Sequence, residues 1–388
     1  MMMSGPIRRC RSAARHLLPA LALSSLTAIV AVTPLLVGVA ASLARETAKP
    51  GRAAERPVPP TPAIYHLADL PRVEVARLDR SQCFLLQAIS PVDLHGPHLP
   101  SGTSLHLSRA MTQEVAVRLR RAKPEWSVLI LPELPIGAGG IGEIGGVYFH
   151  PSSVPLDMFT LRRFLGAWVL GPAENAHPNL SFISLHLDPQ HLKAISDACE
   201  YFTQNYGMNA LNVTSLLMAD STLLAEAHAL GKKTLGDVPE AALTFELLCG
   251  GVAETSLMLH LFPDEVAGDY AGLEPKIASS WSDAVTMVHT FGWPGYLGNP
   301  ARATGAYGKS LWDLLADHGT DLILERSGGS LQIGRPRFED AIRNEFELRE
   351  AIRGDQRFYE RYTRRYDTWL ERWAAADKTA QGNKSIEK

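Results

Sequence analysis

Two kinds of hydrophobic pattern alternate along the chain. Solid apolar runs occupy Cys83–Ile89, Val128–Leu131, Leu180–Leu185 and Leu211–Met218, the first stopped by Pro91 and the second by Pro132. Such runs suit strands covered on both faces, which need no polar alternation. Between them, Leu105–Leu119, Leu156–Leu170 and Gln190–Phe202 carry apolar residues at helical spacing. Strand–helix alternation predicts an α/β domain: three layers, α/β/α, around a mostly parallel sheet. A different pattern follows at the end. Phe338, Ile342 and Phe346, then Tyr359, Tyr362, Tyr366, Trp369 or Leu370, and Trp373 mark amphipathic helices with aromatic faces. They form an expected C-terminal helical extension over 331–388, with a polar tail from Asp377.

The first 64 residues read differently. They hold eight Lys/Arg and two acids, a charge of +6, so the total of −3 leaves −9 for the rest. Arg8, Arg9, Arg11 and Arg15 precede an uncharged run of 28 residues, Leu17–Ala44. A basic head before a long apolar run predicts a secretory signal peptide or a retained membrane anchor over 1–44. The basic end would stay in the cytoplasm and the body outside it. Pro50, Pro57, Pro59, Pro60 and Pro62 make 45–64 an extended linker. The expected organisation is therefore 1–44 signal or anchor, 45–64 linker, 65–330 α/β domain and 331–388 helical extension. The near-neutral balance argues against a dedicated nucleic-acid partner. Four cysteines in 388 residues exclude a disulfide-stapled scaffold. Cys10 precedes the apolar run, so Cys83, Cys199 and Cys249 leave at least one thiol without an intramolecular partner.

Ligands of open parallel sheets sit beyond the carboxyl ends of the strands. The first predicted strand runs into Asp93-Leu94-His95-Gly96-Pro97-His98. The second runs into a glycine-rich loop, 136–148, and the third into His186-Leu187-Asp188. In extended backbone, residues i and i+2 share a face. Each Asp/His pair thus offers one oxygen and one nitrogen to a shared divalent metal, and two pairs predict a one- or two-metal site. His98 and His106 flank the first loop as further candidates, better read as surface or supporting residues. Trp281 and Trp293 can wall a pocket or pack in the core.

The stretch Pro91–Ser104, P-V-D-L-H-G-P-H-L-P-S-G-T-S, resembles the signature of the creatininase family, G-S-x-E-x-H-G-P-H-L-P-x-x-T-D. Three further stretches follow in the family's order. Ser184–Pro189 falls where the family has its N-G-H segment. Cys249–Leu259 resembles H-A-G-x-x-E-T-S-x-x-L, with Glu254-Thr255-Ser256 intact, and Gly295–Gly308 resembles G-x-x-G-x-P-x-x-A-T-x-x-x-G. The resemblance spans roughly 80–325. It implies a three-layer α/β amidohydrolase with one or two divalent ions, zinc or manganese, acting on a small amide or lactam C–N bond. It implies metal ligands at Asp93, His95 and His186, and an acidic ligand at Glu254, or at Asp188 in one branch. It also implies a small-molecule substrate and a homo-oligomer.

The departures are specific. The family's bridging aspartate is Ser104 here, and the histidine opening H-A-G is Cys249. Asp188 is then a further ligand or the base that takes the proton of an attacking water. Cys249 is a soft-metal ligand, a nucleophile or a buried thiol. Two readings follow: a working metal-dependent hydrolase, or a member that keeps the fold and binds a ligand or partner without turnover.

Overall fold

The computed structural model describes residues 61–139, 143–144, 147–148, 153–236 apart from 155, 243, 245–247, 249–331, 337–342 and 346–384. The described residues all fall in the second of the two units into which the chain divides, Pro59–Lys388. The expected signal or anchor, nearly all of the linker and much of the glycine-rich loop lie outside the described residues. Among the described residues, no helix is long and apolar enough to cross a membrane.

The second unit is built on a sheet of five parallel strands: β1 (Ile64–His66), β2 (Cys83–Ala88), β3 (Ser127–Ile130), β6 (Asn179–Ile183) and β7 (Asn209–Asn212). A separate antiparallel pair, β4 (Glu143–Ile144) and β5 (Val147–Tyr148), lies between β3 and β6 in the chain. The order across the sheet is β1-β3-β2-β6-β7, with Phe84 opposite both Val128 and Asn179. Every residue of β2 is buried, as a central strand covered on both faces must be.

Alternate β2 side chains feed two cores. Phe84 and Leu86 join Leu107, Met111, Val115 and Leu119 of α1 (Thr103–Ala122). Cys83 and Leu85 join Leu161 and Leu165 of α2 (Met158–Glu174), and Ile195 and Phe202 of α3 (Pro189–Tyr206). The period-two alternation of the strand thus makes the three layers, and the predicted fold class holds. The helices begin where their caps allow. Asp157 accepts from Phe159 N and Thr160 N to start α2, and Asp188 accepts from Gln190 N and His191 N to start α3.

One predicted strand ends early. Leu211–Met218 reads as continuous β-structure, yet β7 stops at Asn212 and Val213–Leu217 is a short helix, α4. Asn212 accepts from Ser215 N as a cap, while its amide donates to Leu192 O and Ser196 Oγ of α3. A side chain that satisfies the first turn outcompetes the β-preference of Val213 and Thr214.

Further along the chain come α5 (Ser221–Leu235), α6 (Val252–Leu261), α7 (Trp281–His289), α8 (Gly305–Ser327), α9 (Phe338–Ile342) and α10 (Phe346–Lys384). The last two realise the predicted C-terminal helices, and α10 packs along α7. Trp281 packs between Phe245 and Phe338, at ring separations of 5.2 and 6.2 Å, so it is a core residue.

Helices α6 and α8 cross at Gly308, where a Cβ would stand 1.8 Å from the carbonyl oxygen of Ser256. Backbone cannot yield as a side-chain tip can. Gly308→Ala is expected to lower the unfolding free energy by roughly 1–3 kcal/mol, measured by urea denaturation. Two buried histidines set a pH limit. His98 bonds Thr255 Oγ1 at 2.8 Å, tying the exit of β2 to α6. Burial pushes His98 down from 6.5 to about 4, and burial with nearby Arg80 does the same to His177. The unfolded chain takes up these protons near pH 6.5 and the folded chain only near 4. Their contribution is therefore complete above about 6.5 and lost as pH falls toward 4. The melting temperature should decline across that window, and His177→Gln should flatten the decline.

Candidate active site

The exits of β2, β3 and β6 converge with the start of α6. Beyond β2 the chain is pinned by Ser90 N to Leu134 O at 3.1 Å and by Asp93 N to Ser101 O at 2.9 Å. The Asp93 carboxylate accepts from Leu94 N at 2.7 Å and from the Ser153 hydroxyl. His95 is buried, with Nδ1 3.0 Å from the carbonyl oxygen of Asp93. A carbonyl only accepts, so Nδ1 carries the proton and Nε2 keeps its lone pair. Ser104 Oγ, 2.7 Å away, donates to that lone pair.

Beyond β6 a matching arrangement holds His186. Its Nε2 lies 3.3 Å from the carbonyl oxygen of Ala138, at the exit of β3. The same logic puts the proton on Nε2 and leaves Nδ1 as the lone-pair nitrogen. Burial pushes His186 down to about 4, against the pull of Asp93's charge and with that of His95. The ring is therefore neutral, and it lies within the fields of both residues. The β6 exit is fastened to α1 because Leu185 N donates to Ser108 Oγ at 2.7 Å, which donates to Ser104 O at 2.6 Å. His191 completes this corner. Its Nδ1 accepts from Ala138 N, its Nε2 donates to Ser184 Oγ at 2.9 Å, and its ring meets His186 edge to face at 5.2 Å.

Glu254, in the first turn of α6, faces His95 from the other side. Its Oε1 lies 3.7 Å from His95 Nε2 and 3.5 Å from Ser104 Oγ. Its Oε2 accepts from Gly250 N. Cys249 precedes this turn with a φ of 32°, a left-handed conformation uncommon outside glycine. Burial, then the charges of Glu254, Asp93 and Asp188, hold the Cys249 thiol well above its usual range. That disfavours a nucleophilic thiolate. The same charges place four acidic or thiol groups in one neighbourhood.

Asp188 caps α3 through Oδ1 and lies against Gly139, where a Cβ would come 2.4 Å from its carboxyl carbon. Gly139 also has a φ of 114°, so the strand exit needs glycine twice over. The rest of the glycine-rich loop lies mostly outside the described residues.

Among the described residues, no three His, Cys, Asp or Glu side chains already stand as a metal-binding group. Ser104 fills the corner between His95 and Glu254, and each carboxylate turns one oxygen to a backbone N–H. The donor chemistry nonetheless fits a divalent cation. Two imidazoles each donate one N–H to a backbone carbonyl, the outer-shell bond typical of metal-ligating histidine, and Glu254 lies beside His95. His98 and His106 do not join the set. His98 is spent on Thr255, and His106 Nδ1 bonds Glu265 at 2.9 Å. Trp293 donates to Tyr296 O and packs near Cys249.

Sequence reasoning missed His191, Ser184 and Glu246. Buried Glu246 accepts from Asn299 N at 2.8 Å and Val252 N at 3.4 Å, joining the start of α6 to the loop before α8. Gly298 gives it room: a Cβ there would stand 2.2 Å from Oε2.

The family described as creatininase, creatinine amidohydrolase, matches residues 68–323. The mycofactocin precursor peptide peptidase of Mycobacterium ulcerans (strain Agy99) is 24% identical over 245 residues, which is 60% of this chain and 81% of that protein. The creatinine amidohydrolase of Pseudomonas putida is 24% identical over 196 residues, 49% of this chain and 69% of that one. A crystal structure of creatinine amidohydrolase (creatininase) superposes with a TM-score of 0.51 at 21% identity, covering 66% of this chain and 96% of the other. A mutant creatininase of Zn-Zn type gives 0.50 at 21%, covering 72% and 98%. The structural likeness shows a shared fold. With the family's pattern running through well over half of its length, this chain belongs to the creatininase family of hydrolases.

Proposed function

We propose that this chain is a metal-dependent amidohydrolase that cleaves the C–N bond of a small amide or lactam. The observation that carries the reading is the pair of buried imidazoles, His95 and His186, each donating to a backbone carbonyl through one ring nitrogen, with Glu254 Oε1 3.7 Å from His95 Nε2. His95 Nε2, His186 Nδ1 and carboxylate oxygens of Asp93 and Glu254 would hold the cation. Zinc or manganese suits this mixed nitrogen and oxygen set, and one solved relative is of Zn-Zn type. When bound, such an ion lowers the pKa of a coordinated water and polarises a carbonyl.

The chain's own residues supply the rest. The Asp93 and Ala138 carbonyls fix the two tautomers and ring directions before any ligand arrives. Asp188, which caps α3 through two backbone N–H bonds, would take the proton of an attacking water. Ser104 Oγ–H, now given to His95, is free to turn toward Glu254 once that lone pair is engaged. Cys249, kept as a thiol by burial and three nearby carboxylates, lines the site without reacting. A peptide C–N bond is the second reading, favoured because the peptidase relative aligns over 245 residues and the creatinine amidohydrolase over 196. Export or anchoring through residues 17–44 belongs to the same proposal, supported by the basic head and the uncharged run.

Elemental mass spectrometry on the purified full chain tests the reading. At least one equivalent of zinc or manganese is expected, falling by at least tenfold in His95→Ala and His186→Ala, together with hydrolysis of lactam or N-acyl substrates. Removing the carbonyl-directed geometry alone should cost roughly 10- to 100-fold in metal affinity. No metal after reconstitution, and no turnover, would make this a member that binds a ligand or partner without catalysis.

A further inference from the structure

A cavity of about 330 Å³ lies beside β7, the outermost strand of the sheet, with walls from α3, α4, the end of α8 and the start of α9. None of its described lining residues belongs to the His95–His186 site. Two of them, Arg326 and Arg337, stand beyond residue 323, where the family's pattern ends. The wall holds hydrogen-bond donors that the fold does not use. Ser196 is only 1% exposed. Its oxygen accepts from the Asn212 amide at 3.0 Å, and its own O–H meets no acceptor among the described residues. Arg326 donates through Nη2 to Thr203 Oγ1 at 3.3 Å. Its Nε is buried and has no partner among the described residues. A buried donor left unbonded is costly, so two in one wall call for an acceptor.

Charge says which acceptor. Arg337 is paired with Glu200 at 3.4 Å, and Glu339 takes the Ser215 hydroxyl. Arg326 forms no ion pair among the described residues. Burial pulls its guanidinium down from the ordinary 12.5, against the Cys199 sulfur. Burial holds that thiol up at about 12, so it is uncharged near neutral pH and offsets nothing. The cavity thus carries one positive charge that the chain leaves unmatched. One such charge suits a monoanion, and Glu200 and Asp340 in the same wall would repel a dianion such as phosphate. A carboxylate offers two oxygens to a guanidinium fork and to a hydroxyl. Ala210, Leu211, Leu216 and Leu331 form the apolar part of the wall, which suits the body of an organic molecule better than a bare inorganic ion.

We propose that this cavity is a second binding site, separate from the hydrolytic one, for a small organic monocarboxylate whose oxygens are held by Arg326 and Ser196.

The test is calorimetric titration of the full chain with acetate, benzoate, L-leucine and L-glutamine, and with inorganic phosphate for comparison. At least one of the four carboxylates should bind with a Kd of about 1 mM or tighter, and phosphate at least about tenfold more weakly. Arg326→Gln and Ser196→Ala should each weaken that binding by about tenfold or more. Arg326→Gln should do so without lowering the melting temperature, because the charge it removes is unpaired. His95→Ala should bind as the parent does. The proposal is overturned if none of the four carboxylates binds. It is also overturned if His95→Ala loses the binding while Arg326→Gln and Ser196→Ala keep it, which would place the carboxylate at the hydrolytic centre. A lower melting temperature with unchanged affinity in Arg326→Gln would make the arginine structural and overturn it equally.

Discussion

A backbone carbonyl can accept a hydrogen bond and never donate one, and that constraint decides which nitrogen of each site histidine is available for chemistry. His95 spends Nδ1 on the carbonyl of Asp93, two residues earlier in its own loop. His186 spends Nε2 on the carbonyl of Ala138, contributed by a different strand exit. The two rings therefore present different nitrogens, Nε2 and Nδ1, to the space they share with Asp93 and Glu254. Both carbonyls lie in the loops that follow adjacent parallel strands, Asp93 after β2 and Ala138 after β3.

Holding those ends together leaves little room. Gly139 passes Asp188 at a distance no side chain would permit, and Gly250 does the same against the carbonyl of His95, where a Cβ would stand 2.8 Å away. Cys249, beside it, accepts a left-handed conformation. The strain is local and is offset by dense bonding around it, from Glu254 to Gly250 N and from Glu246 to Val252 N and Asn299 N. Asp188 serves the helix as its cap while remaining beside the other carboxylates, so one residue couples a fold signal to the site's charge.

Much of this was legible in the chain. The solid apolar runs gave the central strands, because burial on both faces removes alternation. H-G-P-H-L-P and E-T-S placed His95 and Glu254 in one family pattern before any geometry was known. The two-residue spacing of Asp93 and His95 offered both side chains to one neighbourhood and left their hydrogen-bond partners open. Asp93 turns to Leu94 N and the Ser153 hydroxyl, while His95 turns to Ser104. The Leu211–Met218 run misled because one asparagine cap overrules its two β-branched neighbours, Val213 and Thr214. His191 and Glu246 were invisible for a different reason. His191 stands among polar neighbours, Gln190 and Lys193, and Glu246 is one polar residue in an apolar stretch; only the bonds made across the fold mark either out. Residues 1–44, whose composition speaks most plainly of export or anchoring, lie outside the described structure.

The tautomers of His95 and His186 bear most directly on this account. Long-range proton–nitrogen NMR on histidine-labelled protein reads them one ring at a time, first without metal and then with zinc added. The expected result is His95 protonated on Nδ1 and His186 on Nε2, with zinc shifting His95 Nε2 and His186 Nδ1 alone. Opposite tautomers, or resonances that ignore zinc, would contradict it.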